Sequence, residues 1–215
     1  MFRRSFLVCL AAALLSACAA PNIDKDFKLE KAASSGIACG SITYQGGYAS
    51  FRLHLEKLGS GETFKIEHGS SQTLNPMLAF KGEAPNPALK QTGSVFAVEL
   101  PLGRYVLKSW RIGQGMAQVW STGPTGVEFE VKAGEAIYLG NFHFRGSANF
   151  GRLLTSGTLT LKDQSERDLP AIRNEFDALR SSPLTQALTV GANFQNVGGA
   201  SDGKVTIPIF VPVVR

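Results

Sequence analysis

From residue 37 to residue 162 the chain alternates between apolar and polar side chains. Phe51, Leu53 and Leu55 take turns with Arg52, His54 and Glu56, which predicts a strand over 48–57 with one apolar face. Phe64 and Ile66 repeat the pattern over 62–68, and Leu159 and Leu161 over 157–162. Phe96, Val98 and Leu100 share a face over 94–100, and Tyr105 and Leu107 share one over 104–112. Pro101-Leu102-Gly103 lies between those two runs, so a hairpin is predicted. Val127, Phe129 and Val131 alternate with Glu128, Glu130 and Lys132, after which Ala133-Gly134-Glu135 reverses the chain. Residues 136–144 are apolar at both parities, as expected of a central strand covered on both faces. Strands are also predicted over 37–44 and, briefly, 77–81. The rest of 73–92, with Pro76, Pro85 and Pro87, reads as loop, as does 113–126 with a hairpin tip at Gly113-Gln114-Gly115.

The period changes once. Leu169, Ile172, Phe176 and Leu179 recur at spacings of three and four, predicting one amphipathic helix over 165–181. Ser165 and Asp168 have capping-box spacing, Pro170 is tolerable only near a helix start, and Pro183 ends the run. Residues 204–215 form an apolar extended segment whose Pro208 and Pro212 restrict it to an edge strand or strap. The pattern predicts a mainly β domain over 37–215, an antiparallel β-sandwich with one helix near its C-terminus.

The N-terminus follows another rule. Arg3 and Arg4 precede an apolar run over 6–15, too short for the roughly 20 residues a membrane span needs. This is the layout of an export signal over 1–17. Its end, Leu15-Ser16-Ala17-Cys18, resembles the lipobox of bacterial lipoproteins. The resemblance implies cleavage between Ala17 and Cys18, a diacylglyceryl group on the Cys18 thiol and an acyl group, such as palmitate, on the new amine. Two or more chains make membrane attachment persistent where one does not. Ala19 and Ala20 after the cysteine resemble the pattern sorted to the outer membrane; the domain is expected to face the periplasm, with the cell exterior as the alternative. Residues 18–36 are expected to be a flexible tether.

Composition narrows the partners. The chain is 44% hydrophobic and 18% charged, enough for a core, and its 23 glycines and 14 phenylalanines suit turns and an aromatic β interior. Its net charge is +5, of which Arg3 and Arg4 contribute two, leaving +3 on the mature chain with no basic block. Nucleic acid is therefore not an expected partner. Cys9 leaves with the signal and Cys18 is acylated, so Cys39 has no intramolecular disulfide partner and is expected to be buried.

A longer pattern pairs Leu100-Pro101-Leu102-Gly103-Arg104-Tyr105 with Val131-Lys132-Ala133-Gly134-Glu135 and Tyr138-Leu139-Gly140. It resembles a motif pair of small bacterial lipoproteins with prealbumin-like or PEGA-like β-sandwich domains. The resemblance covers about a quarter of the chain. It implies a prealbumin-like fold and no particular activity.

Chemistry is sparse. No His-Glu-x-x-His, Cys-x-x-Cys or Gly-x-Ser-x-Gly occurs, so neither a metal nor another cofactor is expected. His54 and His143 lie in predicted strands, and His68 precedes a turn. Trp110, Met116 and Trp120 flank the glycine-rich tip and, if exposed, form a candidate interaction surface; the alternative for both tryptophans is that they complete the core. Three function classes result. The favoured one is a non-enzymatic, lipid-tethered module that binds or supports an envelope component. The second is an envelope hydrolase, which requires His68 or His143 against a serine and a carboxylate. The third is a carrier of an apolar ligand, which requires a cavity.

Overall fold

The computed structural model describes residues 18–29, 32–47, 49–69, 83–149, 153–202 and 204–205. The signal over 1–17, the strand expected at 77–81 and the C-terminal segment beyond 205 lie outside the described residues.

The alternating runs become β2 (Ser35–Gln45), β3 (Ser50–Lys57), β4 (Thr63–His68), β5 (Thr92–Pro101), β6 (Gly103–Gln114), β7 (Ala117–Trp120), β8 (Glu128–Val131), β9 (Ala136–Asn149) and β10 (Leu153–Lys162). A short β1 (Cys18–Ala19) precedes them. Helix α1 (Ser165–Glu175) follows, and then β11 (Leu184–Gln186), β12 (Asn193–Phe194) and β13 (Lys204–Val205). The first sheet has the order β1-β4-β3-β6-β7-β13, with β8 also on β6. The second has the order β12-β10-β9-β2-β5, with β11 also on β9. Their inner faces pack as a β-sandwich: Phe51, Leu53 and Leu55 of the first meet Ile42, Phe96, Phe142 and Phe144 of the second. Most neighbours are antiparallel, but β1–β4, β2–β9 and β9–β11 are parallel.

Several expectations are corrected. The reversals at 101–103 and 133–135 are corners between sheets, not hairpins. β5 pairs with β2 along its whole length while β6 pairs with β3, and β8 pairs with β6 while β9 lies in the other sheet. The corner is held by the Tyr105 hydroxyl, which donates to the Pro101 carbonyl at 2.7 Å. Within the expected loop 113–126 the chain forms β7, which returns along β6 after a two-residue turn at Gly115-Met116, Gly115 taking φ +57°.

The segment 18–29 is not a free tether. Cys18 and Ala19 pair with Phe64 and Lys65, and the Ala20 amide donates to the Lys65 carbonyl at 3.0 Å. The chain then crosses to the other sheet, where Asn22 bridges Val98 and the Ile23 amide donates to the Ala97 carbonyl at 2.8 Å. Strands β4 and β5 would otherwise present unpaired backbone groups at one side of the sandwich, and residues 18–23 satisfy both.

Helix α1 lies on the outer face of the second sheet. Ile172, Phe176 and Leu179 pack with Ile37, Cys39, Ala97 and Tyr138, and Leu29 joins them. The expected apolar stripe is thus in place, though the helix ends at Glu175 and a 3₁₀ turn carries Leu179. The expected capping box is absent. Gln164 is the N-cap and makes no side-chain cap bond. Asp163 does that work instead, accepting from the Ser165 amide at 3.0 Å and from the Gly191 amide at 2.9 Å. Burial alone would raise the Asp163 carboxyl, but these bonds outweigh it and hold the group below the ordinary carboxylate value.

Candidate functional site

Strand β9 is central in its sheet, and one irregularity decides what it presents. Cys39 pairs with Tyr138 and Ser41 with Asn141, so Leu139 and Gly140 together oppose Gly40. This β-bulge shifts the side-chain phase. Tyr138 faces the helix and Leu139 the core. Beyond the bulge Asn141 and His143 point outward while Phe142 and Phe144 fill the core. Gly140 adopts φ +109°, and a Cβ there would lie 2.6 Å from the Leu188 side chain.

The outward groups join a buried polar network beneath α1. Asp168, fully buried, accepts from the Ser41 hydroxyl at 2.6 Å and the Tyr138 hydroxyl at 2.7 Å, and Arg167 donates to its other oxygen at 2.8 Å. The Asn141 amide donates to Ser41 at 2.7 Å and to Thr43 at 2.9 Å. The Thr43 hydroxyl in turn meets His143 Nδ1 at 2.9 Å. Burial and the adjacent Asp168 raise the Tyr138 phenol well above its usual value, so it stays a donor.

Helix α1 covers only part of this face. Beyond it a cleft of about 460 Å³ opens, floored by His143 and Arg145 of β9 and Thr158, Thr160 and Lys162 of β10, with Gln45, Gln91 and Gln195 at its sides. No carboxylate lines it among the described residues. Arg145 and Lys162 have no ion-pair partner among those residues either. Burial holds the His143 imidazole below its ordinary value, and Lys162, Arg145 and Arg167 reinforce the shift. An adjoining cleft of about 430 Å³ shares Arg145 and Thr158 but carries Asp202, so its ionic lining is one base and one acid.

A second constellation lies at the β4 end of the sandwich. His68 Nδ1 meets the Ser94 hydroxyl at 2.8 Å, and its Nε2 meets a Glu83 oxygen at 3.2 Å. The Tyr44 hydroxyl donates to the same Glu83 oxygen at 3.3 Å, and the His68 ring packs against Tyr44 and Phe51. Four strands, β2 to β5, and the 83–91 connection converge there. His54 stands apart on the outer face of the first sheet, where burial first and then Lys65, Arg52 and Arg111 lower its imidazole.

The expected interaction surface is divided. Trp110 is 0% exposed, its indole N–H donates to the Val197 carbonyl at 2.6 Å, and its ring meets Phe144 edge-on. Alternation from Tyr105 and Leu107 would turn Trp110 outward. The bulge at Lys108, where His54 pairs with Ser109 and Leu55 with Leu107, turns it inward. Met116 remains 52% exposed at the β6–β7 turn, and Trp120 is half-buried, its amide bonded to the Ser201 hydroxyl. Cys39 is buried as expected, and burial pushes its thiol up to about 12.

The chain matches no family model, no curated protein and no solved structure. Its chemistry therefore rests on its own side chains. The sandwich interior is filled by Trp110, Tyr105, Phe51, Phe142 and Phe144, and an apolar cleft of about 400 Å³ opens at one edge between Phe129, Leu139, Leu188 and Phe194. Among the described residues no three His, Cys, Asp or Glu side chains group as metal ligands, and no helix is long and apolar enough to cross a membrane.

Proposed function

We propose that the protein is a lipid-anchored module of the outer membrane, facing the periplasm, that binds a polar anionic ligand in the cleft over β9 and β10. The anchor reading rests on Leu15-Ser16-Ala17-Cys18 and on Ala19 and Ala20 after it. The binding reading rests on one observation: a cleft of about 460 Å³ whose ionic lining, among the described residues, is Arg145, Lys162 and His143 with no acid. Hydroxyl and amide groups around these cations can hydrogen-bond a polar ligand, while the cations select its charge. Two cations with no ion-pair partner among the described residues also repel one another, and an anion relieves that repulsion.

The test uses the chain from residue 18 with Cys18→Ala, and citrate and inorganic phosphate as probes against neutral glucose. The anions are expected to raise the melting temperature of the parent and leave the Arg145→Ala/Lys162→Ala variant unmoved. No anion-specific shift in the parent would remove the binding site from the proposal.

The Ser94–His68–Glu83 line favours a second reading, an envelope hydrolase. Its alignment gives Ser94 a base and gives that base an orienting carboxylate. This reading expects Ser94 to be labelled covalently by a fluorophosphonate, with labelling lost in His68→Ala and in Ser94→Ala. An unlabelled, folded parent would leave the trio as a latch that holds the 83–91 connection against both sheets.

A further inference from the structure

We infer that the end of the sandwich bearing Leu58 and Leu102 rests on the same lipid surface that holds Cys18. The inference depends on the lipobox reading and adds an orientation to it. Three observations carry it.

The first is the absence of slack. Cys18 is already in register with Phe64, and the backbone bond from Ala20 to Lys65 follows two residues later. A lipid on Cys18 would therefore begin at the body of the domain, not at the end of a spacer. The second is direction. Strand β1 runs parallel to β4, and β4 starts just after the 58–62 turn, so the amino group of Cys18 points towards that turn. The β3 strand that ends at the turn is two strands away across the sheet, about 10 Å.

The third is what that end exposes. Leu58 and Leu102 are 38% and 36% exposed, and both occupy ordered turns. The Leu58 amide donates to the Arg104 carbonyl at 2.8 Å, and the Leu102 amide to the Ser34 carbonyl at 3.3 Å. These bonds bring 34, 58, 102 and 104 together at one end. Exposed Ala33, Gly59 and Gly61 lie beside them and add little bulk. Lys57, Arg104 and Lys132 ring the patch with Glu62 and Glu135, so the charge is mixed and the apolar pair sets the preference. Two half-covered leucines are too little to hold a protein on a bilayer. They suffice to orient one that its lipid already holds, by dipping into the headgroup boundary, about 5–10 Å deep for interfacial apolar groups.

The experiment uses the full lipidated protein, purified from membranes and reconstituted into phosphatidylethanolamine–phosphatidylglycerol vesicles. Single cysteines replace Leu58, Leu102, Met116 or Val190, and each carries a bimane. Labelling is selective because Cys39 is buried and Cys18 bears the lipid. Met116 lies at the far end of β6, and Val190 is 79% exposed in the 187–192 connection. Lipids spin-labelled high on the acyl chain are expected to quench and blue-shift the probes at 58 and 102 and to leave those at 116 and 190 unchanged. Equal quenching at all four sites, or none at any, in protein whose mass shows the Cys18 lipid and which floats with the vesicles, overturns the orientation and leaves the anchor intact. A mass showing no lipid on Cys18 overturns the anchor reading and the orientation with it.

Discussion

His143 shows how a single side chain sets the pH response of this fold. Burial and three neighbouring cations hold its imidazole below the ordinary 6.5, and His54 is lowered in the same sense. As pH falls through 6.5 the unfolded chain binds protons that the folded chain refuses. Stability is therefore fully present above 6.5 and is lost as pH drops towards the folded values, where the loss levels off. Melting temperature followed against pH should fall on acidification in the parent. It should fall less in His143→Gln and least in His54→Gln/His143→Gln, and identical slopes in all three would refute the assignment. An anion in the cleft opposes the shift, so phosphate should bind more tightly as His143 charges. Little of this was legible in the sequence. The apolar pattern places His143 in its strand, but its outward face and cationic neighbours depend on the Leu139–Gly140 bulge, which alternation does not reveal. The Lys108 bulge decides between the two readings open for Trp110, because it turns the ring from the surface into the core.

Elements are joined here by polar groups as well as apolar ones. The stripe Ile172, Phe176 and Leu179 could be read from its spacing, and it packs as expected. Asp168 could not be read that way. Its offset of three from Ser165 suggested a cap, whereas its carboxylate is turned inward to Ser41 of β2 and Tyr138 of β9. No local pattern links residues so far apart in the chain. Asp168→Ala would leave the buried Ser41 and Tyr138 hydroxyls without their acceptor and the Arg167 guanidinium without its ion-pair partner. Removing one member of such a buried pair costs about 3–5 kcal/mol. Urea denaturation should show a loss of that size for Asp168→Ala and a smaller one for Asp168→Asn, which retains one acceptor oxygen. A loss below about 1 kcal/mol would mean that α1 is held by its apolar stripe alone. Gly140→Ala tests the adjoining bulge: strain at positive φ of about 1–3 kcal/mol, plus the collision with Leu188, should lower the melting temperature.

At the largest scale, the described residues form a sandwich closed along one side by residues 18–23. The two-layer β architecture and the helix after β10, which is the one α-helix among the described residues, are legible in the sequence because both follow from period. The partition of strands between sheets is not, since a turn motif such as Pro101-Leu102-Gly103 specifies a reversal without saying which strand receives the chain. Nor is the strap, because residues 18–23 have the composition of a spacer and acquire order only from the open edges of β4 and β5.

That strap has a mechanical consequence. If the protein is held at Cys18 while a ligand or neighbour tugs on the domain, the load enters through β1 along the strand axis. Hydrogen bonds across a parallel pair are slanted but run across that axis and not along it, so they are sheared together instead of peeled one at a time. The bonds from Ala20 to Lys65 and from Ile23 to Ala97 spread the same load over both sheets. Anchored in this way, the domain would transmit tension as a rigid body up to the force that strips its first strand.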